Sequence, residues 1–571
     1  MHDLVIRNGM LIDGAGTAAR AADIAVDNGR ITAVGDDIGA GRREIDAEGH
    51  LVTPGWVDIH THYDGQVTWD PYLSPSCWHG VTTVVMGNCG VGFAPARPDR
   101  REWLIALMEG VEDIPGSALA EGIKWNWETF PEYMDSLEGQ GRVLDVATQA
   151  PHGSIRAYVM GERGARNEAA TPEDIAEMSK IVGEAIEAGA LGFSTSRTML
   201  HRSKDGEPVP GTFASADELM GIGRAMGEAG HGVFELASDM APAESEFEWM
   251  KDLARETGRP VTFGLLQSPL QPEKWRDLLR MTETAREEGA QLTAQIACRP
   301  TGMVLGWQST VHPFIGRASY RAIAHLPFAE RLQRLRDPAV RAAILADPSA
   351  DMGPIGSILT QGFDRMFRLE AGETLDYEPR AEDSVAALAA RTGQKPDAIV
   401  YDMLMERDGR GYIYLPLLNY AQFNFDHIHE MMNHPATVLS LSDGGAHCGV
   451  ICDASFPTYM LTYWARDRAR GERLPIEKIV SMQTRDTARL YGLNDRGLIA
   501  PGMKADINII DYDGLKILPP EMVFDLPAAG RRLIQRAEGY RATIVSGVVT
   551  FEDGVATGEM PGRLVRGPQH A

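Results

Sequence analysis

Cysteine is scarce in this chain: five in 571 residues, Cys77, Cys89, Cys298, Cys448 and Cys452. So sparse and odd a set excludes a disulfide framework and points to reduced thiols, as in a cytosol. Basic charge is short as well. Lys plus Arg is 55 against 80 Asp plus Glu, a net charge of −25. Nucleic-acid binding and docking on an anionic membrane both need a basic footprint. The one small cluster, Arg466-Asp467-Arg468-Ala469-Arg470, is interrupted by acid and reads as a solvated helix face. No apolar stretch approaches the ~18 residues of a membrane helix. The start, Met1-His2-Asp3-Leu4-Val5-Ile6, has an early acid and none of the ~7–15-residue apolar run of a secretory signal, so a cytoplasmic protein is expected. Internal repeats and low-complexity tracts are absent.

What is present is an ordinary globular balance, 44% hydrophobic and 24% charged. Residues 1–56 carry short β-rich runs, Leu4-Val5-Ile6, Met10-Leu11-Ile12, Asp23-Ile24-Ala25-Val26 and Arg30 to Gly35, punctuated as turns by Asn8-Gly9, Asp13-Gly14 and Asn28-Gly29. Residues 491–571 repeat that grammar, with strands expected over 505–511 and 542–549 and a turn at Asp553-Gly554. Two β-rich ends around a long middle predict a small β-sandwich built from both termini. The middle, 57–490, alternates short apolar strands with amphipathic helices. One helix opens at Thr171-Pro172-Glu173-Asp174, a capping threonine before a first-turn proline and acids. Eight such units predict an α/β fold, a (β/α)₈ TIM barrel, whose chemistry sits at the C-terminal ends of the strands. The span 300–430 is too long for one connection. It reads as an insertion with helices over Phe328–Leu345 and Ala381–Thr392, serving as a lid or an oligomer contact.

His60 and His62 follow the strand Trp56-Val57-Asp58-Ile59. Residues i and i+2 of a strand share a face, so both imidazoles can reach one cation, and imidazole suits Zn²⁺. The bland alternative is two unrelated polar residues on a half-exposed strand. Far downstream, Ser440-Leu441-Ser442-Asp443-Gly444-Gly445-Ala446-His447 ends another apolar run. There Asp443 could ligate a metal and move a proton, or simply make an Asx turn. Cys89, in Gly87-Asn88-Cys89-Gly90, also sits just past a strand, as a thiolate ligand or an inert buried thiol.

These pieces stand in a familiar order: Thr53-Pro54-Gly55-Trp56-Val57-Asp58-Ile59-His60-Thr61-His62, Gly80-Val81-Thr82-Thr83-Val84, Gly87-Asn88-Cys89-Gly90, His152-Gly153-Ser154-Ile155-Arg156, Gly192-Phe193-Ser194-Thr195, Ser442-Asp443-Gly444 and Gly497 to Asp506. The chain resembles the amidohydrolase superfamily and, within it, the N-acyl-D-amino-acid deacylases (D-aminoacylases), over nearly its whole length. The resemblance implies that His60, His62 and Cys89 are metal ligands and that Asp443 binds metal and shuttles the proton. It implies cleavage of an N-acyl amide to a carboxylate and a D-amino acid, by a metal that acidifies water and polarises the carbonyl.

The departures matter equally. The family carries a histidine on each of the fifth and sixth barrel strands, completing a second metal site. Here those stretches read Gly232 to Asp239 and Val261 to Gln267, without histidine at the strand end. One zinc per chain is expected, with Glu235, Asp239 or Gln267 as substitutes if a second is held. The family's lysine after the sixth-strand histidine and its arginine after the catalytic aspartate, which grips the substrate carboxylate, are missing too. Arg197, Arg299, His201, His447 and His152 are the candidates for holding substrate. The expected partner is a small N-acyl or amide substrate, and homo-oligomerisation is left open. Two other readings stay beside this one: hydrolysis of another amide, lactam or carbamate without a free carboxylate, and a non-hydrolytic binding protein on the same barrel.

Overall fold

The computed structural model describes residues 1–348, 353–371 and 374–571. Strands from the two chain ends hydrogen-bond into one nine-stranded sheet. Its seam is the antiparallel pairing of Leu51–Pro54 with Ile507–Ile510. Ile6, Ile24, Val52, Ile507 and Ile544 are fully buried against one another there, so each terminus supplies the apolar face that the other needs. Two punctuation marks acted differently from expectation. Asn8-Gly9 is a bulge inside the single strand His2–Leu11, not a turn, with Asn8 in the left-handed region at φ 54°. The stretch 542–549 is not one strand. Ser546-Gly547, both at positive φ, turns Tyr540–Val545 back onto Val548–Glu552.

The middle holds eight parallel strands in chain order: Trp56–Asp58, Val81–Met86, Asp145–Thr148 resumed as Ala150–Pro151, Gly192–Arg197, Val233–Ser238, Val261–Gly264, Leu292–Ile296 and Thr437–Leu439. Each pairs with the next in parallel. Val81–Met86 is buried at every residue, as parallel strands covered on both faces must be. The first and eighth strands meet just past their ends. Asp443 N donates to His60 O at 3.1 Å and His62 N to Gly444 O at 2.8 Å, which sets the two histidines beside the aspartate. Helices run between the strands. The one starting at Pro172 ends at Glu187, and Thr171 and Asp174 cap it reciprocally.

The span 300–430 contains a three-stranded sheet, Gly302–Leu305, Phe367–Arg368 and Ile413–Pro416, with a core around Trp307, Phe314 and Tyr401. Its first long helix is two, Phe328–Leu335 and Pro338–Ala346, because Pro338 cannot continue a helix and Asp337 caps the second. The second begins only at Val385, capped by Ser384. The Arg466–Arg470 cluster is not a solvated face. Arg468 is 1% exposed and pairs with Glu378, while Arg466 and Arg470 donate to backbone carbonyls. All five cysteines are free and buried, and among the described residues no helix is long and apolar enough to cross a membrane.

Candidate metal centre

His60 and His62 leave the first strand with their Nδ1 atoms turned towards Gln295 and Glu112. His60 Nδ1 lies 3.1 Å from Gln295 Oε1 on the seventh strand, and an amide oxygen only accepts, so Nδ1 carries the proton. Gln295 is itself held by Ser440 Oγ at 2.6 Å. His62 Nδ1 lies 3.3 Å from Glu112 Oε1. At His60 the Nε2 lone pair is thereby left to face the cluster. His60 Nε2 is 3.3 Å from Cys89 Sγ and 3.5 Å from Asp443 Oδ1, and His62 Nε2 is 3.7 Å from the same oxygen. Ligand bonds of about 2.0–2.3 Å in a tetrahedron give edges of about 3.3–3.7 Å. The His60–Cys89, His60–Asp443 and His62–Asp443 separations match such edges, and donor atoms of His60, His62 and Cys89 lie within 4.8 Å of one another.

The local backbone is bent to achieve this. Cys89 sits at φ 55° between Gly87 and Gly90 at φ 78° and 70°, so the chain reverses at once after the second strand. A Cβ on Gly90 would lie 2.8 Å from Ser196 N, which leaves room only for glycine. Leu441 and Asp443 are also left-handed, at φ 62° and 49°. Such strain collects at functional sites.

The groups around these donors are rich in buried carboxyls. Asp58, Asp64, Glu112 and Glu235 are buried and Asp443 is 17% exposed at its side chain, and among the described residues none of the five pairs with Lys or Arg. Burial pushes Asp58 and Asp64 up to about 7 and Glu235 to about 8. Burial and the neighbouring Glu235 hold the Cys89 thiol well above its usual value. Burial also draws His60 down to about 4. At His62 the same burial is outweighed by Glu112 and Asp443, which raise it to about 9. Asp443 is desolvated too, yet the two histidines hold it well below the usual carboxylate range. A divalent ion among these groups would supply positive charge and let the thiol and carboxylates stay ionised.

Of the residues expected to hold substrate, two face this cluster. His201 Nδ1 lies 3.1 Å from Ser196 Oγ, within electrostatic reach of His62, Glu112 and Asp443. His447 places Nε2 3.7 Å from Glu112 Oε2 and donates its backbone N–H to Glu112 O. The other three are committed elsewhere, which corrects the expectation for them. Arg197 clasps Glu246 through both carboxylate oxygens at 2.8 and 2.7 Å. Arg299 is 1% exposed, paired with Asp453 at 2.9 Å and stacked over Tyr377 at 3.9 Å. His152 bridges Thr195 and Glu218 at 2.8 and 2.9 Å. Among the three suggested stand-ins, Glu235 alone adjoins the cluster, accepting from Cys89 N at 3.0 Å with Oε1 left unbonded. Asp239 caps the loop at Thr198 and Met199, and Gln267 ties down Asn419 and Gln422.

Sequence reasoning missed Glu112. It ends the helix Arg101–Glu112, on the buried stripe that includes Leu104 and Met108, two and one turns earlier. A carboxylate on the apolar stripe of a helix was the available signal.

The sequence profile of the Amidohydrolase family matches residues 43–551. The chain belongs to the amidohydrolase family. Like its relatives, this amidohydrolase is a hydrolase of carbon–nitrogen bonds. It is 26% identical to the D-aminoacylase of Alcaligenes xylosoxydans xylosoxydans over 575 residues, covering 99% of this chain and 97% of that one. It is 27% identical to the N-acyl-D-aspartate deacylase of the same organism over 571 residues, covering 99% and 95%. A solved N-acyl-D-glutamate deacylase of Bordetella bronchiseptica, complexed with zinc and a phosphonate inhibitor, superposes with TM-score 0.63 at 24% identity over 99% of both chains. A D-aminoacylase described with a binuclear metal centre superposes with TM-score 0.65 at 22% identity, covering 99% of this chain and all of that one. The fold is therefore the TIM barrel of these amidohydrolases.

Proposed function

We propose that this amidohydrolase cleaves an N-acyl amide bond, with N-acyl-D-amino acids as the substrate class, using one zinc ion per chain held by His60, His62, Cys89 and Asp443. The approach of Cys89 and Asp443 to His60, and of Asp443 to His62, at 3.3–3.7 Å carries the reading. When bound, the ion would supply Lewis acidity to water and to the amide carbonyl. Asp443 is the exposed member of the cluster, with a carboxylate kept ionised by two imidazoles, so it takes the proton of the attacking water and returns it to the leaving nitrogen. Gln295 fixes the tautomer of His60, and the Glu112 carboxylate lies 3.3 Å from His62 Nδ1. His201 and His447 flank Asp443 and offer hydrogen bonds to the substrate. Metal analysis of the purified chain should return about one zinc, and turnover of N-acetyl-D-amino acids should vanish on chelation and return with zinc. Full activity in a metal-free chain would overturn the mechanism.

One observation favours a second reading. Arg197 and Arg299, the expected grips for a carboxylate, are both spent on Glu246 and Asp453. A neutral amide, lactam or carbamate would need no such grip. Turnover of uncharged amides, with none on a panel of N-acyl-D- and L-amino acids, would select it.

Glu112 gives a further expectation. Glu112→Gln keeps the shape but removes the charge facing His62 Nδ1. Zinc affinity should fall about 10–100-fold, read by competition with a chelator. An unchanged affinity would show that Glu112 does not tune the site.

A further inference from the structure

A groove of about 930 Å³, lined by none of the metal-cluster residues, lies against the seventh and eighth strands at Thr293 and Thr437–Leu439. Its floor is apolar, with Met432, Val438, Leu439, Met482 and Leu490. Its walls carry Arg286, Lys478, Arg485 and Arg489 against two acids, Glu477 and Asp486. In a chain whose acids outnumber its bases by 25, this groove inverts the local sign.

The two acids are each engaged, and Asp486 also faces Lys478, so four cations stand against two acids. Asp486 pairs with Arg485 at 2.8 Å, and Glu477 accepts from Ala19 N at 3.3 Å. The other three cations make no ion pair among the described residues. Arg286 donates to Leu292 O at 3.0 Å, Lys478 to Asn433 Oδ1, and the Arg489 guanidinium meets no partner. Lys478 is also partly withdrawn from water, and burial lowers its pKa. An excess of cations over acids around an apolar floor is relieved by a diffusible anion. Arginine forks favour phosphate or carboxylate oxygens, and the apolar floor favours an organic body beside them. The volume lies in the range of small-molecule sites.

We propose that this groove binds a small organic phosphate, with the phosphate held by Arg286, Lys478 and Arg489 and the organic body on the Met432–Leu439–Met482 floor. The site is separate from the metal cluster and independent of the substrate proposed above. Calorimetric titration of the full zinc-loaded chain with AMP, inorganic phosphate and succinate tests it. AMP should bind at least tenfold more tightly than inorganic phosphate. Binding should weaken with added salt and fall at least tenfold in the double variant Lys478→Glu, Arg489→Glu, with amide hydrolysis unchanged. Absence of heat with all three probes overturns the proposal, as does AMP binding that survives the double variant. Succinate binding more tightly than AMP overturns the assignment to phosphate. A dimer that dissociates in the double variant, without anion binding, would show that the groove seats a second copy instead.

Discussion

Asp443→Asn is expected to lower kcat on any accepted amide by about 10³-fold, within the 10²–10⁴ that a positioned acid–base group contributes. The substitution is nearly isosteric, and Asn can keep an oxygen near the 3.5 and 3.7 Å positions that Asp443 Oδ1 holds from the two Nε2 atoms. It cannot take a proton. Zinc content should therefore stay near one per chain while turnover is lost, and KM should move less than kcat. His60→Ala should behave differently, losing metal and activity together, because it removes a ligand that Gln295 and Cys89 orient. Steady-state kinetics beside metal analysis separates the two. A kcat for Asp443→Asn within tenfold of the parent would remove Asp443 from the proton path.

That experiment probes what was legible in the sequence. His60 and His62 could be placed because strand periodicity is local, and two residues apart on one strand means one face. Asp443 and Cys89 stood at the end of apolar runs before glycine, but their roles as ligands came only from the family resemblance. The eight strands and the joined termini were legible because each carries its own short-range pattern. The outer partners were not. Glu112 reaches His62 from a helix about 50 residues on, and Gln295 reaches His60 across the strands. No local pattern encodes such a meeting. The arginines failed for a related reason. Arg197 and Arg299 do follow strands, but Glu246 and Asp453, which neutralise them, come from other elements. Whether a cation is free or spent is a tertiary fact. The Asn8-Gly9 bulge and the Ser546-Gly547 turn show the same limit on a small scale. Positive φ is written in the residue types, while its use as a turn or a bulge depends on the neighbouring strand.

Asp145→Asn is expected to cost about 3–5 kcal/mol of stability, the range for breaking a buried ion pair by removing one partner. Asp145 lies on the third parallel strand and is fully buried. Arg496 Nη1 and Lys504 Nζ reach it at 2.8 and 3.1 Å, and Arg563 N donates to it at 3.0 Å. Lys504 also pairs with Asp506 at 2.6 Å, and Asp506 accepts from Ser546 N at 2.8 Å. The motif Gly497 to Asp506, which looked like one of the functional signatures, thus fastens the sheet of the two termini to the parallel strands. Burial alone would raise the Asp145 pKa, but Lys504 and Arg496 outweigh it and hold it at about 2, below its ordinary 3.8. A depressed carboxylate contributes stability that is fully present above the unfolded value and is lost as pH falls towards the folded one. The gap between parent and Asp145→Asn should therefore be constant above about pH 5 and should narrow between about pH 4 and pH 2, read as the first unfolding transition in urea. Lys504→Met made on top of Asp145→Asn should cost less than the sum of the two single changes, because each single change leaves a buried charge without its partner. Strict additivity would mean that the two groups do not act as one network.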